Sequence, residues 1–274
     1  MSNGGIIGPV NDPIVSVAST TSTFTFTSSG TYTSGPQAKL VQAFMVAGGG
    51  GGRSNTYTGG GGSGGGIYKN CSLSISTGTA YPIVVGGGGT ASDSTPAGAF
   101  GAAGGNGIAS TGFSQTALGG NGATPTAYAV GADHIDGVYT GGTGNGGGAG
   151  AGGNGSPGTC SVGGAGGNGL NSTLSGSPVN YAGGGASGSN TPNVSSGTDG
   201  GAPGASLNTA AGPATANRGG GGGGFRSGFS CGSYRASSAG GSGIVLIKEL
   251  TKTVASGVWS LSEQYNYKKN NQWT

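Results

Sequence analysis

The residues best suited to chemistry stand together at Ala132-Asp133-His134-Ile135-Asp136, and His134 is the chain's single histidine. An imidazole between two carboxylates could work as an acid–base group or hold a metal. Asp133 and Asp136 could also form a glycosidase-like carboxylate pair. The cluster is local, however, and no other acidic residue lies near it in sequence. Catalytic geometry needs side chains held on rigid elements, and this stretch carries no helix or strand pattern. It reads as a polar display loop, so no enzymatic activity, cofactor or metal is expected. Asp93 and Asp199 are isolated and suit turns.

A second constellation is 219–235, GGGGGGFRSGFSCGSYR, with Arg218 just before it. Arg218, Arg226 and Arg235 interleave with Phe225, Phe229 and Tyr234, as in segments that stack on RNA bases. It occurs once and runs directly into an apolar strand, so a glycine rod closed by an aromatic turn explains it better, and no nucleic-acid partner is expected. The glycine runs lack a phosphate-binding lysine and a strand–GxGxxG–helix setting. Cys71, Cys160 and Cys231 are an odd number, match no zinc spacing, and leave a Cys160–Cys231 bridge open.

The scaffold that must position these side chains is dominated by glycine, 71 residues of 274. It recurs every third position at Gly141, Gly144, Gly147, Gly150 and Gly153. That period fits neither a helix nor a strand but matches polyproline II geometry, about 3 residues per turn and 3.1 Å rise. Such a helix bonds nothing internally. Lying side by side, rods without side chains can approach and exchange N–H···O=C bonds. Gly98, Gly101, Gly104 and Gly107 form a second rod, Gly163, Gly166 and Gly169 a third, and Gly197, Gly200, Gly201 and Gly204 a fourth. The all-glycine runs 48–52 and 219–224 belong in the interior, where every face meets a neighbour. Five consecutive rods of roughly 30–45 Å are expected, joined by loops at 90–97, 108–118, 123–140, 170–182, 189–196 and 205–217.

Glycine loses the most freedom on ordering, so the rods need an anchoring core. Strands are expected near 21–33, 39–47, 67–76, 79–85 and 243–249. The first ends in a turn at 28–30. In the third, Ile67, Cys71, Leu73 and Ile75 share one face. Pro82 marks an edge, and GIVLIKE, apolar on both faces, is central. The fold class is all-β with an irregular insertion: a small antiparallel sheet or sandwich carrying a layered bundle of polyglycine II helices. Rods and display loops span about 86–242 within a 21–250 domain.

Residues 1–20 form an extended arm in which Ile6, Ile7, Val10 and Ile14 suit docking by strand addition. Residues 251–274 form a C-terminal docking segment with Trp259, Leu261, Tyr265 and Trp273; Ser260 and Glu263 fit a capping box, so a short helix near 260–269 is expected. The charge is only +3 and 6% of residues are charged. No apolar run approaches the ~20 residues of a membrane span, and no membrane insertion is expected. The start lacks a signal-peptide pattern, so synthesis in a cytoplasm is expected.

In order, "FTFTSSGTYT", "LVQAFMVAGGGGG", "GGGGSGGGIYKNCSLSISTGTAYPIVVGGGG" and "GGSGIVLIKE" resemble the glycine-rich domain of bacteriophage tail fibres and receptor-binding adhesins, across about 21–249. A "TWTVPAG"-like segment usual in that family reads "TYTSGPQAK" here. The resemblance implies a polyglycine lattice whose distal loops touch a host surface, and a virion location. It supplies no catalytic residues. The expected partners are other phage virion proteins, through the terminal segments, and a host glycan or outer-membrane protein; a homotrimer is one assembly option. Receptor-contact candidates are Tyr128, Asp133, His134, Asp136, Tyr139, Tyr181 and Asn193. One alternative is a purely structural virion protein, a capsid decoration or tail-assembly component without receptor binding. A remoter one is an ice-binding polyglycine bundle.

Overall fold

A computed structural model of the chain describes residues 22–55, 59–92, 102–124, 139–143, 145–159, 161–206, 209–226 and 236–251, with Tyr265, Lys268 and Lys269. The strands are β1 (Thr23–Phe26), β2 (Gly30–Thr33), β3 (Ala38–Val46), β4 (Ser54–Asn55), β5 (Ile67–Ser74), β6 (Ala80–Ile83), β7 (Ser110–Gly112), β8 (Gln115–Ala117), β9 (Leu170–Ser172), β10 (Val179–Tyr181), β11 (Phe225–Arg226) and β12 (Ile244–Thr251). Among the described residues the protein is all-β, built of glycine rods and small sheets that are antiparallel except for the short parallel pair β4–β11, with no barrel. Of the helix expected near 260–269, only Tyr265, Lys268 and Lys269 are described; their backbone is helical and they are exposed.

The anchor is a four-stranded antiparallel sheet in the order β1-β12-β3-β5. Its two inner strands are apolar on both faces because both faces are covered. On one face Val41, Met45, Val245 and Ile247 meet Tyr32 of β2, Ile83 of β6 and Ala117 of β8. On the other, Phe44, Val46, Ile244 and Leu246 meet Tyr181 of β10 and Ala182. Each large side chain so buried is worth about 1.5–3 kcal/mol. The stretch 21–33 divides at the expected turn: β1 joins the main sheet, and β2 crosses over to pair with β6, putting Pro82 opposite Thr31 in a two-stranded sheet.

The single-face reading of 67–76 is corrected. Val41 pairs with Leu73 but Ala43 with Asn70, so β5 carries an extra residue there. A bulge reverses the alternation of everything beyond it. Ile67 therefore packs on the Phe44 side while Leu73 and Ile75 pack on the Tyr32 side, and Cys71 is left exposed.

Two of the expected display loops are also corrected. Residues 108–118 and 170–182 hold the hairpins β7–β8 and β9–β10, which fold over opposite faces of the main sheet. Each follows a rod that has returned to the sheet, so the chain is at the anchored end when it turns. The β7–β8 turn has φ of 53° at Phe113 and 58° at Ser114. A bulky residue in this region costs on the order of 1–3 kcal/mol; here the Phe113 ring packs on Tyr32 and Tyr81 at 5.7 and 5.0 Å between centroids.

The rods leave and return between β3 and β12. Rod 47–53 lies at the centre, fully buried, and its bonds change neighbour at each residue. The amides of Ala47, Gly50 and Arg53 donate to Gly66, Ser63 and Gly60; those of Gly48 and Gly51 to Ile108 and Gly105; those of Gly49 and Gly52 to Gly241 and Ser238. Its carbonyls accept from Gly120 and Ala123, from Gly89 and Ser92, and from Gly222 and Phe225. Three antiparallel rods thus accept from it and three parallel rods donate to it, at 2.8–3.1 Å. This is the threefold symmetry of polyglycine II helices in hexagonal packing. Among the described glycines only Gly78, Gly176, Gly200 and Gly219 have positive φ, so the rods share the left-handed sense that alanine, serine and asparagine can also adopt.

Both all-glycine runs are interior, as expected. A Cβ on Gly48 to Gly52 would fall within 3 Å of a neighbouring carbonyl oxygen at every position. At the edge, Gly104 and Gly107 turn toward rod 47–53 in the same way, while Gly98 and Gly101 lie outside the described residues. Two rod assignments are corrected. The run 141–158 is a folded set: 145–151 returns to the sheet, turns at Ala151-Gly152, and 153–159 leaves antiparallel to it, with Gly147 donating to Ser156 and Gly150 to Gly153. Thr198 and Gly201 bracket a turn with positive φ at Asp199 and Gly200, so 197–204 is a turn between two rods. The rods are shorter and more numerous than expected: seven residues span about 20 Å at 3.1 Å each.

Candidate binding surface

The direction of each rod follows from the hydrogen-bond register, and it sorts the connections into two ends. At the sheet end lie the β7–β8 and β9–β10 hairpins and the turns at 151–152, 199–200 and 216–219. Asp199 secures its turn there, its carboxylate accepting from Gly169 N and Asn180 Nδ2, both at 2.8 Å. At the far end lie residues 161–162 and 190–194, and the rod ends at 55, 92, 124, 206 and 226.

Side chains replace missing rods at this far end. Ser54 N donates to Ser92 Oγ at 2.6 Å, Ser237 N to Ser54 Oγ at 3.0 Å, and Ser237 Oγ to Ser92 O at 2.9 Å, joining three rod ends. Asn145 Nδ2 donates to Gly188 O, and Ser187 Oγ bonds both Gly59 O and Asn145 Oδ1. Arg53 is 1% exposed, and burial lowers the pKa of its guanidinium. The sequence reading missed these clips. Their signal was a serine or asparagine where a glycine run stops.

An accessible part of the far end is built from two adjacent connections. Asn190 N donates to Ser161 O, Gly163 N donates to Ser189 Oγ, and Ser195 Oγ donates to Gly163 O at 2.7 Å. This frame presents Val162 and Val194, each 44% exposed, with exposed Asn193. The Thr191 hydroxyl is buried beside them without a hydrogen-bond partner among the described residues. The surface offers apolar area, an amide and backbone groups, which can bind but cannot transfer protons. No group of three His, Cys, Asp or Glu that could hold a metal occurs among the described residues.

Of the residues singled out in the sequence, Asn193 is therefore on this surface. Tyr139 is half-buried on an outer rod, where Thr140 N donates to Asn154 Oδ1 at 2.8 Å. Tyr181 is corrected: it is 3% exposed and its ring packs on Phe44 at 5.3 Å. As the last residue of β10 it fills the core. Tyr128, Asp133, His134 and Asp136 lie outside the described residues, as do Ile6, Ile7, Val10, Ile14, Trp259, Leu261, Trp273, Gly144, Cys160 and Cys231. Tyr265 is exposed. Rod 219–225 holds Arg218 and Arg226 at its opposite ends, so these two arginines do not form one patch.

Residues 23–249 match the glycine-rich domain family. The chain belongs to that family. The match begins in β1 and ends in β12, the two strands that pair along one side of the main sheet. The glycine-rich domain therefore coincides with sheet plus lattice, and its limits are the strands that clamp the rods. A search of curated proteins gives no match.

Proposed function

We propose that this glycine-rich domain protein is a bacteriophage virion component, a tail-fibre or adhesin subunit that attaches to a host-surface glycan or outer-membrane protein. The observation that carries the reading is the polarity of the molecule. Both ends of the 23–249 domain meet at the sheet, where Glu249 N donates to Ser22 O. The Val162–Asn193–Val194 surface lies at the opposite end of the rods. In this reading residues 1–20 and 251–274 dock to other virion proteins, the lattice is a stiff spacer, and the far end makes contact with the host. Tyr128, Asp133, His134 and Asp136, in the segment that follows Thr124, are assigned to that contact in this reading; Tyr139 is not, because Thr140 N bonds Asn154 Oδ1 just beyond the sheet-end turn at 151–152.

The test is adsorption. Replacing 190–194 or 125–138 by glycine-serine linkers is expected to abolish attachment of the parent particle, and purified wild-type chain is expected to compete with it. Normal adsorption by both variants would reject the adhesin reading. If the protein were found on particles with unaltered adsorption, it would be a purely structural component.

A further inference from the structure

We propose that a groove at the sheet end, between β6 and the β7–β8 hairpin, binds a neutral pyranose unit. The groove has a volume of about 460 Å³ and is lined by Tyr81, Pro82, Thr111, Phe113, Gln115 and Thr116, among others. That lies within the roughly 300–1,000 Å³ of small-molecule sites. Its wall carries two half-buried aromatic rings, Tyr81 and Phe113, at 5.0 Å between centroids and 46° between planes. Tyr81 also stacks on Tyr32 at 6.2 Å, and the part of each ring left exposed along the groove can pack on the C–H side of a sugar.

Three further observations point to a ligand. First, Phe113 occupies a turn position with φ of 53°. Local preference would place asparagine or glycine there, and departures from local preference cluster at ligand clamps. Second, the side chains of Thr111, Gln115 and Thr116 make no hydrogen bonds to other described residues, so hydroxyl and amide groups on the wall are available for sugar hydroxyls. Third, no charged side chain lines the groove among the described residues, which selects a neutral sugar over an acidic one.

This site lies at the opposite end from the proposed host contact and does not rest on that reading. It is tested on the full chain by titrating methyl α-glucoside, methyl α-galactoside, methyl α-mannoside and maltotriose, with methyl glucuronide as the acidic comparison, while following the backbone amides of Thr111 and Thr116 by NMR. At least one neutral sugar is expected to shift those resonances saturably. Gln115→Ala and Phe113→Gly are each expected to weaken binding about tenfold or more at an unchanged thermal midpoint for Gln115→Ala. Glycine tolerates the left-handed turn, so Phe113→Gly removes the ring while keeping the hairpin. The proposal is overturned if none of these sugars gives a saturable shift, if the affinity is the same in both variants, or if only methyl glucuronide binds. Replacing 190–194 is expected to leave this titration unchanged, which separates it from the adsorption test.

Discussion

Gly50→Ala is the sharpest perturbation of the lattice. Gly50 lies in the central rod, and a Cβ there would stand 2.1 Å from Asn121 O and 2.3 Å from its carbonyl carbon. Real Cβ atoms stay beyond 3.0 Å, so rod 118–124 must retreat by close to an ångström. That rod is tied to 47–53 through Gly120 and Ala123 and to 59–66 through Ser63, whose N and Oγ both donate to Asn121 O. About three bonds would stretch or break at roughly 0.5–1.5 kcal/mol each, and overpacking adds about 1–3 kcal/mol. A loss of about 3–7 kcal/mol is expected, enough to unfold a domain of ordinary stability near its limit. The control is Gly87→Ala on rod 86–92, where the added Cβ meets only Ile108 Cδ1 at 3.7 Å. Stiffening the unfolded chain should there stabilise by about 0.4–1 kcal/mol. The assay is urea denaturation of both variants, followed by near-ultraviolet circular dichroism of the buried tyrosines. Equal midpoints for the two variants would refute the claim that missing side chains hold the rods together.

Further tests use other handles. Every amide from Ala47 to Arg53 donates to a neighbouring rod, so hydrogen exchange there is expected to be as slow as in β3 and β12; exchange at the rate of an unfolded peptide would remove the lattice. Burial, the bond to Glu249 and that carboxylate's charge raise the Tyr32 phenol well above its ordinary 10.0. A raised value means stability that is full below about pH 10 and lost as pH rises toward the folded value. The expected result is one tyrosine that resists ionisation in absorbance titration until the protein unfolds, and its absence in Tyr32→Phe; full titration near pH 10 without unfolding would contradict it. Asn106-Gly107, Asn154-Gly155 and Asn168-Gly169 are deamidation-prone pairs in free peptides, since the glycine nitrogen attacks the side-chain amide. Here Gly107 N is bonded to Gly120 O, Gly155 N to Thr140 O and Gly169 N to Asp199 Oδ2. Mass spectrometry of aged samples is expected to show slow deamidation in the native protein and fast deamidation in Gly50→Ala.

The legible parts of the sequence were those in which one residue type answers one constraint. KLVQAFMVA running into GGGGG announced a buried strand feeding an interior rod, and GIVLIKE announced its partner. Direction was not legible. A rod that reverses at Ala151-Gly152 keeps glycine at every third position, because each limb faces a neighbour with the same spacing. The bulge in β5 was hidden for a similar reason: Cys71-Ser72 looks like uninterrupted alternation, and only the pairing with β3 reveals the extra residue. Tyr181 was misread because it stands among asparagine, serine and glycine; its role depends on Phe44, 137 positions away in the chain. Of the candidate contact surface, Asn193 was read from its polar neighbourhood. Val162 and Val194 went unnoticed because they become one surface only when two rods are laid side by side.

The pairing of β3 with β12 has a consequence for how such proteins can vary. The first rod departs from one strand and the last arrives at its neighbour, so any even number of traverses fits between them. An out-and-back excursion could be gained or lost without disturbing a single pair in the sheet. The handle is fixed while the breadth of the slab is free, and its tip can be rebuilt one doublet at a time.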